Sequence, residues 1–475
     1  MQIYLKDLKE MINPEILPNN IHLVGIGGDG MSALAGLFIG GGKTVSGSEQ
    51  GNLAKVKQMA LIEEFRQAGC IINFGHRAEN LPLSTELVVR SSIIPDDNLE
   101  IVRAEELDIP VIKRSVAVGR LMIGKTGISI GGTAGKSSSS AMTGFILTEA
   151  GFDPSICIGA RSKHFSDRNF RSGAGKFFVA EADEFDRSFL DLNQEAALVT
   201  NIFYGDHMDY YRDPESMLQA FKEFIQRSRV CFVRGDDHPS LLVAEGSGVY
   251  HETFGFGDNC EWRARDIRQT RGGTDFKIEH RSCQVAGHLE IPGIHNVANM
   301  LGVIAMLSGF DVKPEISSEI LAHYRGVNRR LEKRGEFNGV AIFDDYGHNK
   351  IQIDAALEGL RQFYPEGDIY CVFQPRQFRR TKELLGELTQ SFNGVKAIVV
   401  LDISKGIGDT EAEVESVSSL DVVGALNQAG KNTVYAPTFA KATEWLESTV
   451  KRGDAIITFG TGDPYRATDL LLNDV

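Results

Sequence analysis

The chain has 475 residues and a formal net charge of −14, with 50 glycines against 14 prolines. This length predicts about three domains, each able to bury a core, and the acidic balance argues against a nucleic-acid-binding surface. The six cysteines are dispersed, so neither a disulfide framework nor a zinc site is predicted. The sequence shows no signal peptide and no apolar run of about 18 residues, so we expect a cytoplasmic protein without a membrane partner.

The first glycine-rich segment follows an apolar run that starts near residue 20. The run leads into a helix-like segment through Gly25-x-Gly27-x-x-Gly30, and the next strand-like run ends in Glu49. This spacing is typical of a dinucleotide-binding fold and, taken alone, raises an NAD-dependent oxidoreductase as one hypothesis. The same geometry holds any diphosphate at a helix N-terminus, and a UDP-sugar carries a diphosphate. Both ligand classes stay open on these residues.

Two further strand ends place small polar side chains in the same predicted parallel sheet. One run ends at His76, and another ends at Ser91 and Ser92. Carboxyl ends of parallel strands meet at one edge of the sheet, so we expect these side chains beside the glycine loop. His76 fits a surface turn equally well. The first domain is expected to close near Arg114, before another helix-like segment.

The clearest functional signal is the segment 131–140, which reads Gly-Gly-Thr-Ala-Gly-Lys-Ser-Ser-Ser-Ser. It lies between a β-type run and a helix-like run, the order of a phosphate-binding loop. Small residues let backbone N–H groups approach a polyphosphate, Lys136 adds a positive charge, and the Ser137 hydroxyl can ligate Mg²⁺. The general motif has a glycine where this chain has Ile130, so the loop is a variant. An ordinary Gly/Ser-rich turn is the alternative interpretation.

Acidic clusters follow two apolar runs of the central region. One lies at 181–184 and the other at 206–209. Mg²⁺ prefers hard oxygen ligands, so carboxylates at these strand ends suit a metal shared with Ser137. Each cluster taken alone also fits a solvated turn. Two of them in a segment that contains a phosphate loop favour a metal–nucleotide site.

The following segments predict a change of architecture and then a boundary. Short alternating stretches between 248 and 291 predict a small antiparallel patch. A small-residue helix comes next, and Asn296 near its start either contacts a purine or pins the helix start. Arg329 and Arg330 mark the boundary, where they fit either ordinary surface charges or a pair that reaches a nucleotide.

The C-terminal third repeats strand-like and helix-like segments. Its apolar runs end in polar or glycine residues, which predicts a second parallel sheet with its working edge at the strand carboxyl ends. Asp345 and His348 follow the first of these runs, and Arg376 follows the next. Asp345 and His348 also fit structural turn residues.

The order of these motifs resembles that of the Mur ligases of bacterial cell-wall synthesis, almost from end to end. Within that family, the alanine-adding members are the most similar. Each motif alone is weak, whereas the ordered set is specific. The motifs lie at 25–32, 45–49, 132–138, 181–184, 200–202, 206–209, 292–296, 329–330 and 344–348.

The resemblance implies an α/β fold with three domains and a role in peptidoglycan synthesis. A Rossmann-like domain at 1–118 would bind UDP-N-acetylmuramate, a central P-loop ATPase-like parallel sheet with a small antiparallel patch would occupy 119–328, and a Rossmann-like lid would occupy 329–475. In the family reaction ATP phosphorylates the sugar's lactyl carboxylate, and the amine of the amino acid then displaces the phosphate. The implied cofactors are ATP and Mg²⁺. The implied acceptor is L-alanine or another small amino acid.

The resemblance also assigns the site residues. UDP-sugar contacts fall on Gly25, Gly27, Gly28, Gly30, Met31, Ser32, Ser48, Glu49, His76, Ser91 and Ser92. ATP contacts fall on Gly132, Thr133, Ala134, Gly135, Lys136, Ser137, Ser138, Asn296, Arg330 and Asp345. The Mg²⁺ ligands are Ser137, Glu181 and His207, and the catalytic set is Lys136, Glu181, His207, His348 and Arg376.

Several positions depart from the usual family pattern. Ala134 replaces the histidine of G-T-H-G-K-T-T, Asn349 and Lys350 replace the end of D-Y-G-H-H-P, and segment 203–205 lacks the usual acid. These departures bear on substrate choice more than on nucleotide binding. Three alternative functions stay open: a recycling ligase that attaches a tripeptide to the same sugar, a non-catalytic ligase-like regulator, and the oxidoreductase.

Overall fold

The computed structural model describes residues 17–51, 59–204, 210–270, 272–281, 283–406 and 409–473. The chain forms two compact units. The larger unit comprises residues up to 265 together with 277–287 and 298–324, and the smaller comprises 266–276, 288–297 and the residues from 325 onward. The acidic cluster at 206–209, and with it the assigned Mg²⁺ ligand His207, lies outside the described residues.

The first sheet is parallel, in the order β3-β2-β1-β4-β5. Its strands are β1 (Asn20–Val24), β2 (Thr44–Glu49), β3 (Ile71–Phe74), β4 (Leu87–Arg90) and β5 (Val111–Lys113). Its helices are α1 (Asp29–Gly40), α2 (Met59–Gln67), α3 (Leu99–Glu106) and α4 (Arg114–Met122). The strand order reverses beside β1, so the loops after β1 and β4 border a crevice at the carboxyl edge. The glycine loop and Ser91 lie at these two positions.

The second sheet has ten strands, in the order β15-β14-β13-β12-β11-β10-β6-β9-β7-β8. They are β6 (Thr126–Gly131), β7 (Ser155–Ser162), β8 (Arg168–Arg171), β9 (Phe177–Glu181), β10 (Ala196–Val199), β11 (Val230–Arg234), β12 (Tyr250–Gly255), β13 (Trp262–Thr270), β14 (Gly273–His280) and β15 (Cys283–Leu289). Strand β6 pairs in parallel with β9 and β10, whereas β7 and β8 pair antiparallel. The phosphate loop therefore leaves a central strand, beside the polar ends of both neighbours.

Five α-helices accompany this sheet within the described residues. They are α5 (Lys136–Glu149), α6 (Pro214–Gln226), α7 (His238–Ser247), α8 (Ile294–Ser308) and α9 (Pro314–Leu321). Helix α5 begins at Lys136, so the serines at 137–140 form its first turn. Among the described helices, none has both the length and the apolar composition needed to cross a bilayer.

The third sheet has six strands, in the order β16-β17-β21-β18-β19-β20. They are β16 (Glu332–Phe337), β17 (Val340–Asp345), β18 (Ile369–Phe373), β19 (Ala397–Val400), β20 (Thr433–Tyr435) and β21 (Ala455–Phe459). The helices are α10 (Lys350–Phe363), α11 (Phe378–Leu388), α12 (Glu411–Glu415), α13 (Ser419–Gln428), α14 (Phe439–Thr449) and α15 (Arg466–Asn473). Among the described strand pairs of this third sheet, only β16 with β17 is antiparallel, so the predicted second parallel sheet is confirmed.

A single hydrophobic core joins the first sheet to the second. It runs through buried residues between Leu17 and Ala244. Helix α1 approaches β8 so closely that a Cβ on Gly36 would overlap the Phe170 ring, and Phe170 also lies against Phe65 of α2. Close packing of this kind fixes the two sheets relative to each other. The first and second sheets therefore belong to one compact unit.

Candidate active site

Two glycines give the phosphate loop its shape. Gly132 and Gly135 have φ angles of 132° and 87°, in the region that disfavours side chains. A Cβ on Gly132 would collide with Thr200 Oγ1, and one on Gly135 would lie 2.7 Å from Asn299 Oδ1. The loop therefore accepts only glycine at both positions, as a backbone cradle for phosphate requires.

Asn201, just beyond the end of β10, fixes the same loop through its amide group. Thr133 Oγ1 donates to Asn201 Oδ1 at 2.7 Å, and the Ala134 N–H donates to the same oxygen at 3.0 Å. Asn201 Nδ2 in turn donates to the Ala134 carbonyl at 3.0 Å. The Ala134 side chain is exposed, and Ala134 contacts Asn201 only through its own main-chain N–H and carbonyl. Replacing the family's usual histidine by alanine thus leaves these contacts intact.

Lys136 is held by a buried carboxylate. Its ammonium donates to both oxygens of Glu184, at 2.9 and 2.7 Å, and to the Gly132 carbonyl at 2.7 Å. Glu184 is fully buried, and the Tyr211 hydroxyl donates to its main-chain carbonyl. Burial alone would lower the pKa of Lys136, but the neighbouring carboxylates raise it above its usual value. The lysine is therefore charged and fixed in position.

Ser137 and Glu181 meet beside the loop. The Ser137 hydroxyl donates to Glu181 Oε1 at 2.9 Å, and the Gly159 N–H donates to Glu181 Oε2 at 2.6 Å. A hydroxyl and a carboxylate in contact fit a hard divalent cation such as Mg²⁺. Within the described residues, no group of three His, Cys, Asp or Glu side chains forms a metal site. A cation here would need phosphate oxygens and water to complete its shell.

The N-terminal glycine loop is fixed by the acid that follows it in the sheet. The Gly27 N–H donates to Glu49 Oε2 at 2.9 Å, and the Gln50 N–H donates to Glu49 Oε1 at 3.0 Å. In a dinucleotide enzyme this acid would bind the ribose hydroxyls. Here both of its oxygens contact the backbone, which weakens the oxidoreductase interpretation.

A buried carboxylate, Glu100, organises the polar groups beneath that loop. It accepts from Ser48 Oγ at 2.5 Å and from Asn80 Nδ2 at 2.8 Å, and His22 Nε2 lies 3.0 Å away. His76 Nδ1 lies 2.9 Å from Ser48 Oγ. Burial favours the neutral carboxyl, but these hydrogen bonds hold the pKa of Glu100 well below its usual value. The Ser48 and His76 side chains thus take part in an internal network.

A cavity of about 240 Å³ extends from the N-terminal glycine loop to the phosphate-loop carboxylates. It is lined by Gly28, Asp29, Gly30, Met31, Ser91, Arg114, Cys157, Ile158, Gly159, Glu181 and Asp183. Four assigned UDP-sugar residues and one assigned metal ligand therefore share one space. Gly25, Gly27, Ser32, Ser48, Glu49, His76 and Ser92 are not among the lining residues. The assignment of the whole set to the sugar nucleotide stays a prediction.

In the smaller unit, the Asp345 carboxylate accepts hydrogen bonds from two backbone N–H groups. Its Oδ2 accepts from the Leu331 N–H and its Oδ1 from the Gly347 N–H, both at 2.7 Å. Burial raises the pKa of Asp345 to about 6. Arg330 lies over the Tyr346 ring, 5.2 Å from its centroid. Their assignment to ATP stays a prediction.

His348 and Arg376 follow the carboxyl ends of β17 and β18, and Arg380 lies in the first turn of α11. Arg380 donates to His348 Nε2 at 2.8 Å, so the proton lies on Nδ1, which is 3.1 Å from the Tyr346 carbonyl. Arg376 donates to the Thr461 carbonyl at 3.2 Å. Arg380 was not among the residues assigned from the sequence. The structure brings it into contact with His348, one of the catalytic residues assigned from the sequence.

The remaining assigned or divergent residues lie at helix starts. Asn296 Nδ2 donates to the Pro292 carbonyl at 2.7 Å, which favours pinning of the helix start over a purine contact. Asn349 caps α10 by accepting from the Gln352 N–H at 3.0 Å. Lys350 pairs with Asp354 one turn later. Asn349 and Lys350 therefore serve the local helix.

Three family models match the chain. They are described as "Mur ligase family, catalytic domain" over residues 20–126, "Mur ligase middle domain" over 130–307 and "Mur ligase, glutamate ligase domain" over 329–462. The chain is 32% identical to the UDP-N-acetylmuramate–L-alanine ligase of Caldanaerobacter subterraneus, covering 96% of this chain and 97% of that one. It is 35% identical to the ligase of the same name from Lawsonia intracellularis, with 93% and 96% covered.

Solved structures show the same fold. The UDP-N-acetylmuramate–alanine ligase of Thermotoga maritima superposes with a TM-score of 0.79 at 23% identity, covering 96% of this chain and 98% of that one. A murein peptide ligase of Psychrobacter arcticus gives a TM-score of 0.69 at 20% identity, with the same coverage. The predicted fold class is confirmed. The chain belongs to the Mur ligase family, whose members are ATP-dependent, ADP-forming amide ligases.

Proposed function

We propose that this enzyme joins L-alanine to UDP-N-acetylmuramate in peptidoglycan synthesis, with conversion of ATP to ADP and through an acyl phosphate. The single observation that carries the proposal is the cavity that links the N-terminal glycine loop to Glu181 beside the phosphate loop. A sugar nucleotide whose diphosphate lies at Gly28 to Met31 would extend its carboxylate toward the site of phosphoryl transfer. The two relatives that are 32% and 35% identical to this chain are named for this activity, and the similarity covers nearly their whole length.

The charges around the phosphate loop fit the first step. A carboxylate and a triphosphate repel each other, so cationic groups must balance the γ-phosphate before the carboxylate can attack. Lys136 is fixed and charged for this role. Mg²⁺, when bound by Ser137, Glu181 and, as we propose from the family, His207, would add further positive charge. Attack forms the C–O–P bond of the acyl phosphate and releases ADP.

The second step requires an amine acceptor, which we assign to the smaller unit. His348 and Arg376, with the newly recognised Arg380, supply polar and cationic groups suited to an amino acid's carboxylate. L-alanine is the proposed acceptor. A pocket separates two acceptors that differ by one methylene by only about 1–3 kcal/mol, so L-serine or glycine should compete. We propose that 1–118, 119–328 and 329–475 serve sugar, ATP and acceptor respectively.

ADP release, measured with UDP-N-acetylmuramate and each amino acid in turn, tests the proposal. We expect release that depends on both substrates, with L-alanine preferred among L-alanine, L-serine, glycine and a muramyl tripeptide. Preferential use of the tripeptide would indicate the recycling ligase. Absence of ADP release with every acceptor would favour a regulator. Oxidation or reduction of NAD(H) without ADP formation would overturn the ligase assignment.

A further inference from the structure

Arg114 lies between the two halves of the cavity. It is the first residue of α4 and lines the cavity together with Gly30 and Cys157. A Cβ on Gly30 would be 3.0 Å from Arg114 Cδ and Nε, so the arginine side chain lies directly against the N-terminal glycine loop. Arg114 also lines a small adjoining cavity with Glu181 and Asp183. It therefore lies between Gly30, which is assigned to the UDP-sugar, and Glu181, which is assigned to Mg²⁺.

The charges of the lining residues are unbalanced. Asp29, Glu181 and Asp183 are carboxylates, and Arg114 is the one cation among the residues that line the cavity. Within the described part of the chain, no hydrogen bond or ion pair engages the Arg114 side chain. Its neighbour Lys113, by contrast, pairs with Asp186 at 3.1 Å. A half-buried guanidinium without a partner, beside a cavity, is suited to bind an anionic ligand.

We infer that Arg114 binds the lactyl carboxylate of UDP-N-acetylmuramate and thereby selects this sugar from sugar nucleotides that lack the carboxylate. The inference rests on the proposed function and names a specificity-determining residue for it. A carboxylate that approaches Glu181 and Asp183 is repelled by both, and a bidentate guanidinium offsets that repulsion. In the proposed function the diphosphate lies at the N-terminus of α1, where the glycine loop ends. Arg114 lies against Gly30 at this helix start and also lines the cavity with Glu181 and Asp183.

Calorimetric titration of the full chain with two sugar nucleotides tests the inference. UDP-N-acetylmuramate carries the lactyl carboxylate, whereas UDP-N-acetylglucosamine has the same uridine diphosphate and amino sugar without it. We expect Arg114→Ala to weaken binding of the first at least tenfold and of the second by less than twofold. Arg114→Lys keeps the charge and the packing on Gly30 but loses the bidentate geometry, so it should fall between wild type and Arg114→Ala.

Arg103→Ala is the matched control. Arg103 lies in α3, pairs with Glu106 of the same helix and is not among the residues that line the cavity. This variant should change neither affinity. Equal weakening of both ligands by Arg114→Ala would assign the residue to the diphosphate and overturn the inference, as would unchanged binding of both. If Arg114→Ala fails to fold, Arg114→Lys decides by the same ratio. Failure of wild-type protein to bind UDP-N-acetylmuramate would instead refute the proposed function.

Discussion

The two glycine loops of the larger unit have the same local architecture but are held in different ways. Each follows a parallel strand and leads into a helix at the carboxyl edge of its sheet. The phosphate loop contains its own cation, Lys136, fixed by the buried Glu184. The N-terminal loop has no lysine or arginine between 25 and 30, and the cation that lines its cavity, Arg114, comes from α4.

This difference matches two chemical tasks. Phosphoryl transfer gains most from charges that are already in position when the reaction begins, and the Lys136–Glu184 pair provides such a charge. Binding of a sugar nucleotide needs complementarity and selectivity, which an arginine from another element can supply. We therefore propose that the same loop motif serves catalysis in one place and recognition in the other.

Removal of the fixed cation should have the largest effect. We expect Lys136→Ala to lower kcat by at least about 10²–10³-fold, because a charge that stabilises the transferring phosphoryl group is lost. UDP-N-acetylmuramate binding should stay near wild type, since its loop lies in the first sheet. Lys441→Ala, which removes an exposed lysine paired with Glu444, is the control. Full activity of Lys136→Ala would refute the assigned phosphate loop.

Loss of the proposed metal ligand Glu181 should have the next largest effect. We expect Glu181→Gln to raise the Mg²⁺ concentration for half-maximal rate by about 10- to 100-fold, because even residues behind a metal ligand contribute that much. Mg²⁺ titration of turnover measures the shift. Glu195→Gln, at a surface glutamate paired with Arg229, should leave the titration unchanged. An unaltered Mg²⁺ curve for Glu181→Gln would assign Glu181 a structural role.

A smaller effect is expected where the phosphate loop is held by neutral hydrogen bonds. Asn201→Ala removes three of them, each worth about 0.5–1.5 kcal/mol. We expect KM for ATP to rise about tenfold, with kcat reduced less, because the cradle loosens while Lys136 keeps its partner. Asn432→Ala, at an exposed asparagine, serves as the control. A larger loss in kcat than in ATP affinity would contradict this division.

The smallest effect is expected at the most visible departure from the family. Ala134→His restores the usual histidine at an exposed position. The residue at 134 contacts the Asn201 side chain only through its own main-chain atoms. We expect KM for ATP to change by less than about twofold, within the range of surface substitutions. Steady-state kinetics with varied ATP measure it. A large change would show that the side chain at 134 does reach the nucleotide.

The sequence allowed the strands and both loops to be predicted, because their signals are local. Gly25 to Gly30 and Gly132 to Ser137 are short motifs at strand-to-helix junctions, and each appears in the structure where its spacing places it. The fold class followed from the order of such motifs along the chain.

The sequence singled out segments 181–184 and 200–202 but did not show which loop residues Glu184 and Asn201 contact, because these contacts join distant segments. Asn201 lies 67 residues from Ala134, and Glu184 lies 48 residues from Lys136. Arg114 belongs to no recognised motif, and the sequence indicated only a domain boundary near it. Hydrogen-bond partners across parallel strands depend on sheet order, which local spacing does not encode.

A two-by-two titration tests the central claim that the two loops bind two different nucleotides. Lys136→Ala and Gly30→Ala would each be titrated with UDP-N-acetylmuramate and with a non-hydrolysable ATP analogue. A methyl group on Gly30 approaches Arg114 and enters the cavity, so Gly30→Ala should weaken only the sugar nucleotide, and Lys136→Ala should weaken only the ATP analogue. If either variant weakened both ligands equally, or if each weakened the other loop's ligand, the account would be contradicted.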